Sequence, residues 1–275
     1  MKKYFLYILI LLVIGFSVLL LLPKNDQFIK SPNQYLPAEK LNKIILETRE
    51  KTAKNPEDIF SYIEGGVALY QKGRDYYPEA INQLQRALKL GAVDLRIYFY
   101  LAIMYDELNV PERAFVYYEK FLRNRPKNFY MRTRYGNLFF HQNRYDSASE
   151  QYETALSVQP KNQTALINLA LSYKARDMFD EALEEFRKAE SVKSIRTPEI
   201  LIKIAETYSA KKDFSSVLAY YTKAIERKPN SVAALLGLAD TYLNTGYKSE
   251  AANYFQKVLE IDPANPIAKK QLSKK

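Results

Sequence analysis

The chain contains no cysteine. Disulfides, thiolate metal sites and a cysteine nucleophile are excluded at once. It has one histidine, His141, in 275 residues, so neither a multi-histidine metal site nor a Cys–His pair can be assembled. The eight glycines form no phosphate-cradling or dinucleotide-binding spacing, and Glu64-Gly65-Gly66 is an isolated cluster. Asp180, Glu181, Glu184 and Glu185 follow helical spacing beside Arg187 and Lys188, the pattern of a solvated helix face rather than an acid–base pair. The expectation is no catalytic residue, no metal and no cofactor, and a binding protein rather than an enzyme.

Charge is also missing from residues 4–22, nineteen residues that come after Lys2 and Lys3. At 1.5 Å per residue they reach about 28 Å, close to the ~30 Å hydrocarbon core of a bilayer. Cleavage at Gly15-Phe16-Ser17 would leave residues 18–22 bare, so the sequence predicts an uncleaved anchor at 1–22, one transmembrane helix. The short basic leader favours a single pass through the inner (cytoplasmic) membrane with the body outside the cytoplasm, which in a bacterium is the periplasm. Residues 23–59 supply a proline-containing tether and a helix over 38–54, with Leu41, Ile44, Ile45 and Thr48 on one stripe. That helix is expected to cap the body of the chain beyond residue 59.

What the chain has in plenty is period. Tyr70, Tyr105, Phe139, Tyr173, Tyr208 and Tyr242 stand 35, 34, 34, 35 and 34 residues apart. Downstream of each lies a second helical pattern. Its small residues are Ala80, Ala114, Ala148, Ala182, Val217 and Ala251, with Leu84, Tyr118, Tyr152, Phe186, Tyr221 and Phe255 four positions later. Then come Ala87, Phe121, Ala155, Ala189, Ala224 and Val258, and prolines at 126, 160, 229 and 263 close four of the units. Small residues where helices cross and large ones where gaps need filling describe a helical hairpin, repeated because one hairpin cannot bury both its faces. Arg132 departs from the pattern, standing where a large apolar residue is expected. Gly65 and Gly66 lie inside the first helix of the first unit at roughly 1 kcal/mol each against alanine, which predicts a first unit that frays.

This period and these residue types resemble the tetratricopeptide repeat (TPR) family over about residues 60–265. The resemblance implies an all-α, right-handed superhelical solenoid of six hairpins, at about 60–94, 95–128, 129–162, 163–197, 198–231 and 232–265. A basic tail at 266–275, partly frayed, would complete the chain. In that family the first helices line a concave groove whose non-packing positions choose a partner peptide or helix. Those positions here are Phe99, Ile103, Tyr130, Asn137, Phe140, Ile167, Leu171, Lys174 and Ile202, several of them apolar and in need of cover. A subgroup clamps carboxylates with lysine and asparagine. Asn137, Asn168 and Lys203 match that clamp, but Thr133 and Glu199 replace its lysines.

Net charge is +10, yet Lys120, Arg123, Arg125, Lys127, Arg132, Arg134 and Arg144 fall within residues 120–145 with no acidic residue among them. Aromatics interleave this patch as they would in a single-stranded nucleic-acid site, but Phe121, Tyr135 and Phe139 are required for repeat packing, and no nucleic-acid partner is expected. The patch suits an acidic protein segment or an anionic cell-wall polymer. The sequence therefore predicts a membrane-tethered protein-interaction scaffold of a cell-envelope complex, with polymer binding through the basic patch as the alternative.

Overall fold

The computed structural model describes residues 36–192 and 197–273. The predicted anchor at 1–22 lies outside them. Among the described residues no helix is long and apolar enough to cross a membrane.

Fourteen α-helices occupy the described residues. Contacts divide them into two compact units, the first ending at Asn128 and the second beginning at Phe129. Unit 1 holds α1 (Ala38–Lys54), α2 (Ile59–Lys72), α3 (Tyr77–Lys89), α4 (Leu95–Glu107) and α5 (Pro111–Asn124). Unit 2 holds α6 (Phe129–His141), α7 (Tyr145–Leu156), α8 (Gln163–Ala175) and α9 (Phe179–Ser191). It continues with α10 (Thr197–Ala210), α11 (Phe214–Arg227), α12 (Val232–Asn244), α13 (Lys248–Ile261) and α14 (Pro266–Leu272). Apart from α1 and α14 these pair as antiparallel hairpins, two in unit 1 and four in unit 2.

Each hairpin from α4 onward turns on the same device. Asn109, Asn143, Asp177, Lys212 and Gly246 all hold positive φ, between 56° and 89°. The next N–H reaches back to a carbonyl five residues earlier: Val110 to Tyr105 at 2.8 Å, Arg144 to Phe139 at 2.9 Å, Met178 to Tyr173 at 3.0 Å, Asp213 to Tyr208 at 3.0 Å, and Tyr247 to Tyr242 at 2.8 Å. A left-handed residue with this bond just after it satisfies the orphaned carbonyls of the first helix and reverses the chain. The starts of helices are capped as regularly. Asp58, Asp94, Asn162, Ser231 and Asn265 each accept from a backbone N–H in the first turn, a contact worth about 1 kcal/mol.

The packing set obeys the repeat. Ala80, Ala87, Ala114, Ala148, Ala155, Ala182, Ala189, Val217, Ala224 and Ala251 are completely buried, and Leu84, Tyr118, Phe121 and Phe186 fill the space between them. In unit 2 one such cluster joins Leu166, Ala170, Ala182, Leu183, Phe186, Ala189, Ile200 and Ile204 across α8, α9 and α10. Full burial of a side chain like Phe186 is worth about 1.5–3 kcal/mol, so each hairpin is held by its neighbours rather than by its own propensity.

Two expectations need correction. Gly65 and Gly66 do not fray the first hairpin, because both are buried in a continuous α2. A Cβ on Gly65 would lie 2.9 Å from Oγ1 of Thr48 on α1, and one on Gly66 would lie 2.7 Å from Cγ of Leu84 on α3. The glycines allow close approach of two neighbouring helices, which offsets their weak helix propensity.

The C-terminal segment is not a frayed tail through 272. Asn265 caps α14 by accepting from the Ala268 N–H at 3.2 Å, Ala268 is fully buried, and Leu272 packs on the cluster of Leu235, Phe255 and Val258. The helix occupies the register of a further first helix. Lys269 and Lys270 stand where α8 has Leu166 and Ile167 and α12 has Leu235 and Leu236, so the face that would meet a partner helix is charged instead. At the other end α1 buries Leu41, Ile45 and Thr48, spaced like Ala80, Leu84 and Ala87 of α3. Arg49 of α1 also makes a bidentate contact to Glu79, with Nη2 2.6 Å from Oε1 and 2.7 Å from Oε2.

Candidate functional site

In unit 2 the first helices bury one stripe and leave another. On α6 the buried stripe is Met131, Tyr135, Leu138 and Phe139, which leaves Asn137 and Phe140 half-buried and His141 exposed. On α8 it is Ala165, Leu166, Leu169 and Ala170, which leaves Ile167, Asn168, Leu171 and Lys174 half-buried. Between them lies a cavity of about 300 Å³ lined by Asn137, Phe140, His141, Tyr152, Asn168 and Leu171. Its walls are apolar at Phe140 and Leu171 and polar at the two amides, and no Asp, Glu, Lys or Arg lines it.

The polar wall is bonded to itself. Tyr152 arrives from α7, the second helix of the hairpin, and its Oη donates to Oδ1 of Asn137 at 2.7 Å. Nδ2 of Asn168 donates to that same oxygen at 2.9 Å. Burial pushes the Tyr152 phenol well above its ordinary value, and the hydrogen bond with Asn168 partly opposes this, so the hydroxyl stays protonated and donates. Gly136 makes the approach possible: a Cβ there would lie 2.6 Å from Cε1 of Tyr152.

Further along the same helices the charges pair. Glu206 of α10 accepts from Lys203 at 3.0 Å and from Lys174 of α8 at 3.4 Å, which ties α8 to α10. Ile202 is half-buried against the cluster of Leu201, Ala205 and Val217, and Ile167 and Leu171 lean on the cluster around Phe186. The residues matching a carboxylate clamp are thus already engaged, Asn137 with Asn168 and Lys203 with Glu206.

Of the sequence-predicted groove residues, Asn137, Phe140 and Leu171 meet at the cavity, with Ile167, Lys174 and Ile202 on the neighbouring turns and helices. Tyr130 is half-buried on α6 and its Oη accepts from Nη1 of Arg134 at 3.2 Å. Phe99 and Ile103 are a correction. They are 3% and 1% exposed and offer no surface. Phe99 meets Tyr100 edge-on with centroids 5.1 Å apart and packs against Phe121 of α5 at 5.7 Å, so an aromatic hairpin partner takes the face expected to be free.

The seven basic residues do not behave as one set of free cations. In unit 1 the Lys120 amine sits 5.7 Å from the Tyr98 ring and 5.6 Å from the Tyr117 ring. Arg123 and Lys127 are exposed and Arg125 is half-buried. In unit 2 Arg132 is half-buried and donates to Oε1 of Gln151, and burial holds its guanidinium below the ordinary value. Arg134 lies over Tyr130 at 5.8 Å and Arg144 over Phe139 at 4.5 Å. Among the described residues no group of His, Cys, Asp and Glu could hold a metal ion.

Sequence reasoning placed Tyr152 in the packing set and missed its hydroxyl. The available signal was tyrosine, where the equivalent positions of α9 and α13 carry Phe186 and Phe255, opposite a glycine on the first helix.

Comparison with known families settles what the hairpins are. Residues 64–129 and 208–274 match models described as "Tetratricopeptide repeat", and residues 136–177 match one described as "TPR repeat". The chain carries tetratricopeptide repeats. Among curated relatives, "Uncharacterized protein ycf37" of Cyanophora paradoxa is 30% identical over 109 residues, which is 38% of this chain and 63% of that protein. The peroxisomal targeting signal receptor of Saccharomyces cerevisiae is 22% identical over 262 residues, 90% of this chain and 42% of the receptor. The chain thus spans less than two thirds of either relative. Among solved structures, the C-terminal part of a TPR repeat-containing protein from Cytophaga hutchinsonii superposes with a TM-score of 0.71 at 17% identity, covering 85% of this chain and 95% of that one. PilW, described as a widely conserved type IV pilus biogenesis factor, superposes with a TM-score of 0.58 at 17% identity, covering 78% and 98%. At such identities the likeness is one of tetratricopeptide fold.

Proposed function

We propose that this tetratricopeptide protein is a membrane-tethered scaffold that captures segments of partner proteins on the first-helix face of unit 2. In doing so it assembles or stabilises a cell-envelope complex of secretion, motility or outer-membrane assembly type. The observation that carries this reading is the cavity among Asn137, Phe140, His141, Tyr152, Asn168 and Leu171. It gathers half-buried apolar side chains and oriented amides on a rigid repeat frame, which is the composition of a peptide site rather than of a reaction centre. The tether rests on the uncharged run at 4–22, and the envelope setting on that run. The description of PilW as a pilus biogenesis factor is in keeping with it. Polymer binding through the basic patch draws less support, since Lys120, Arg132, Arg134 and Arg144 already lie against rings or an amide.

The test is Phe140→Ala combined with Leu171→Ala in the full chain. Capture of partners from native membranes should be lost at every ionic strength from about 0.01 to 1 M, because apolar contact is not screened. Undiminished capture by the double variant would move the site elsewhere. For the tether, the mass of the mature protein decides: a chain beginning after residue 22 refutes it.

A further inference from the structure

One edge of unit 1, where second helices end and first helices begin, joins unpaired cations to projecting apolar side chains. α1, α3 and α5 alternate with α2 and α4 and run the same way, so their last turns share this edge. Those turns hold Lys51 and Lys54, Arg86 and Lys89, and Arg123, with Lys127 just beyond α5. All six are exposed, and none makes an ion pair among the described residues. A helix dipole favours a cation at any C-terminus, but unit 2 shows how little that alone supplies. There the last turns of α7, α9, α11 and α13 hold Glu153, Glu190, Glu226 and Glu260 against Lys188 and Arg227, whereas the last turns of α1, α3 and α5 hold no carboxylate. In the linkers of unit 1, Asp58 and Asp94 are spent on helix caps, Asp94 also on Arg96, which leaves Glu57 exposed. Glu50 and Glu119 stand a turn further in. Val93 in the linker from α3 to α4 is 97% exposed, and Phe60 in the first turn of α2 is 65% exposed. The linkers after α7, α11 and α13 carry Pro160-Lys161, Pro229-Asn230 and Pro263-Ala264 instead.

Cations around projecting apolar side chains fit the surface of a bilayer. Each lysine or arginine gains roughly fivefold in partitioning beside anionic head groups, and an apolar side chain gains by entering the layer beneath them. A soluble polyanion offers nothing to Val93 and Phe60. We propose that this edge of unit 1 docks on an anionic membrane surface. The proposal rests on the tether reading, and the length of the tether permits it. α1 carries the chain about 25 Å from its start to the edge. Residues 23–37, the fifteen between the uncharged run and α1, reach about 50 Å at full extension. The edge shares no residue with the first-helix face of unit 2, so docking and partner capture are tested apart.

Because the chain has no cysteine, Val93→Cys takes a single environment-sensitive fluorophore in the full chain, reconstituted in nanodiscs. In discs of phosphatidylcholine with about one third phosphatidylglycerol, its emission should shift to the blue. In phosphatidylcholine alone it should stay at its aqueous position. The same label at Glu112→Cys, at the opposite end of α5, should stay aqueous in both. Salt at about 1 M shortens the screening length to about 3 Å and should reverse most of the shift. Lys89→Glu with Arg123→Glu should lower the ratio of docked to free edge by at least about tenfold, and Phe60→Ser by about threefold or more, with circular dichroism unchanged in each. An aqueous label at position 93 in anionic discs, equal immersion in the two compositions, or a ratio unmoved by the charge reversals overturns the proposal. So does an equal shift produced by soluble polyglutamate without anionic lipid, which would make the edge a polymer site. Failure of the tether is read separately, from the mass of the mature protein. Should that chain begin after residue 22, the same label on it is read with free vesicles of both compositions: binding to anionic vesicles alone keeps the docking edge, and no binding removes it.

Discussion

Replacing Gly136 by alanine sets helix propensity against packing, and the structure says which wins. Alanine in the interior of α6 would gain about 1 kcal/mol over glycine by propensity alone. Its Cβ, however, would lie 2.6 Å from Cε1, 2.9 Å from Cδ1 and 3.0 Å from Cζ of Tyr152. That ring is 1% exposed, and moving it away from α6 would break its hydroxyl's bond to Asn137. Overpacking of this kind costs about 1–3 kcal/mol, and a shifted ring also gives up the bond to Asn137, worth about 0.5–1.5 kcal/mol. The net expectation is a loss of about 1–3 kcal/mol. The second hairpin shows where the ring would go. There Ala102 stands at the register of Gly136, and the Tyr118 hydroxyl bonds Asp106 at 2.8 Å rather than a residue at the Asn137 position. Urea unfolding of the full chain, read by circular dichroism and by amide exchange in α6 and α7, measures the effect. Because repeat arrays need not unfold in one step, exchange in those two helices is the sharper reading. Stability equal to or above wild type would refute the reasoning, since that is what propensity without the ring contact predicts.

Other parts of the frame give three further expected outcomes. Lys212 holds φ 60° without the freedom of glycine, so Lys212→Gly should stabilise unit 2 by about 0.5–1 kcal/mol, visible as a raised urea midpoint, after the added flexibility of the unfolded chain is subtracted. Asn265→Ala removes the cap of α14 and should cost about 1 kcal/mol, with amide protection lost in 266–272 and kept in α12. Burial, with Glu206 and Asp240 adding to it, pushes the Tyr221 phenol up to about 12. As pH rises past the unfolded value of 10.0 the raised group costs stability, and Tyr221→Phe should remove both that loss and one late-titrating phenolate in an ultraviolet titration.

The hairpin register was legible because packing writes it in residue size. Ala182 and Phe186 four apart, or Ala148 and Tyr152, can be read without coordinates. What could not be read depended on which neighbour a residue meets. Gly65 and Gly66 read as weak points in a helix until Thr48 and Leu84 are seen against them, and the role of Gly136 shows only once Tyr152 is seen packed on it. Phe99 and Ile103 fall at the same register as Ile167 and Leu171, yet Phe99 meets Phe121 on its own hairpin partner, where the fourth hairpin has Ala189, and it is buried. The turn residues Asn109, Asn143, Asp177, Lys212 and Gly246 keep the period, and all but Lys212 are types that tolerate a left-handed backbone, but such residues are common enough in polar turns that the shared angle shows only in the structure. Of the candidate site, the first-helix stripe was visible in sequence. The Tyr152 hydroxyl was not, because tyrosine and phenylalanine alternate at that position for what looks like packing alone.

The central claim is that partners engage the first-helix face of unit 2. A photo-crosslinking residue placed at position 140, beside the cavity, can be compared in native cells with one at position 184, where Glu184 lies on the outer face with two thirds of its side chain exposed. Adducts with a discrete envelope protein from position 140 and none from position 184 are the predicted result. Adducts from position 184 alone, or of equal yield from both, would contradict it.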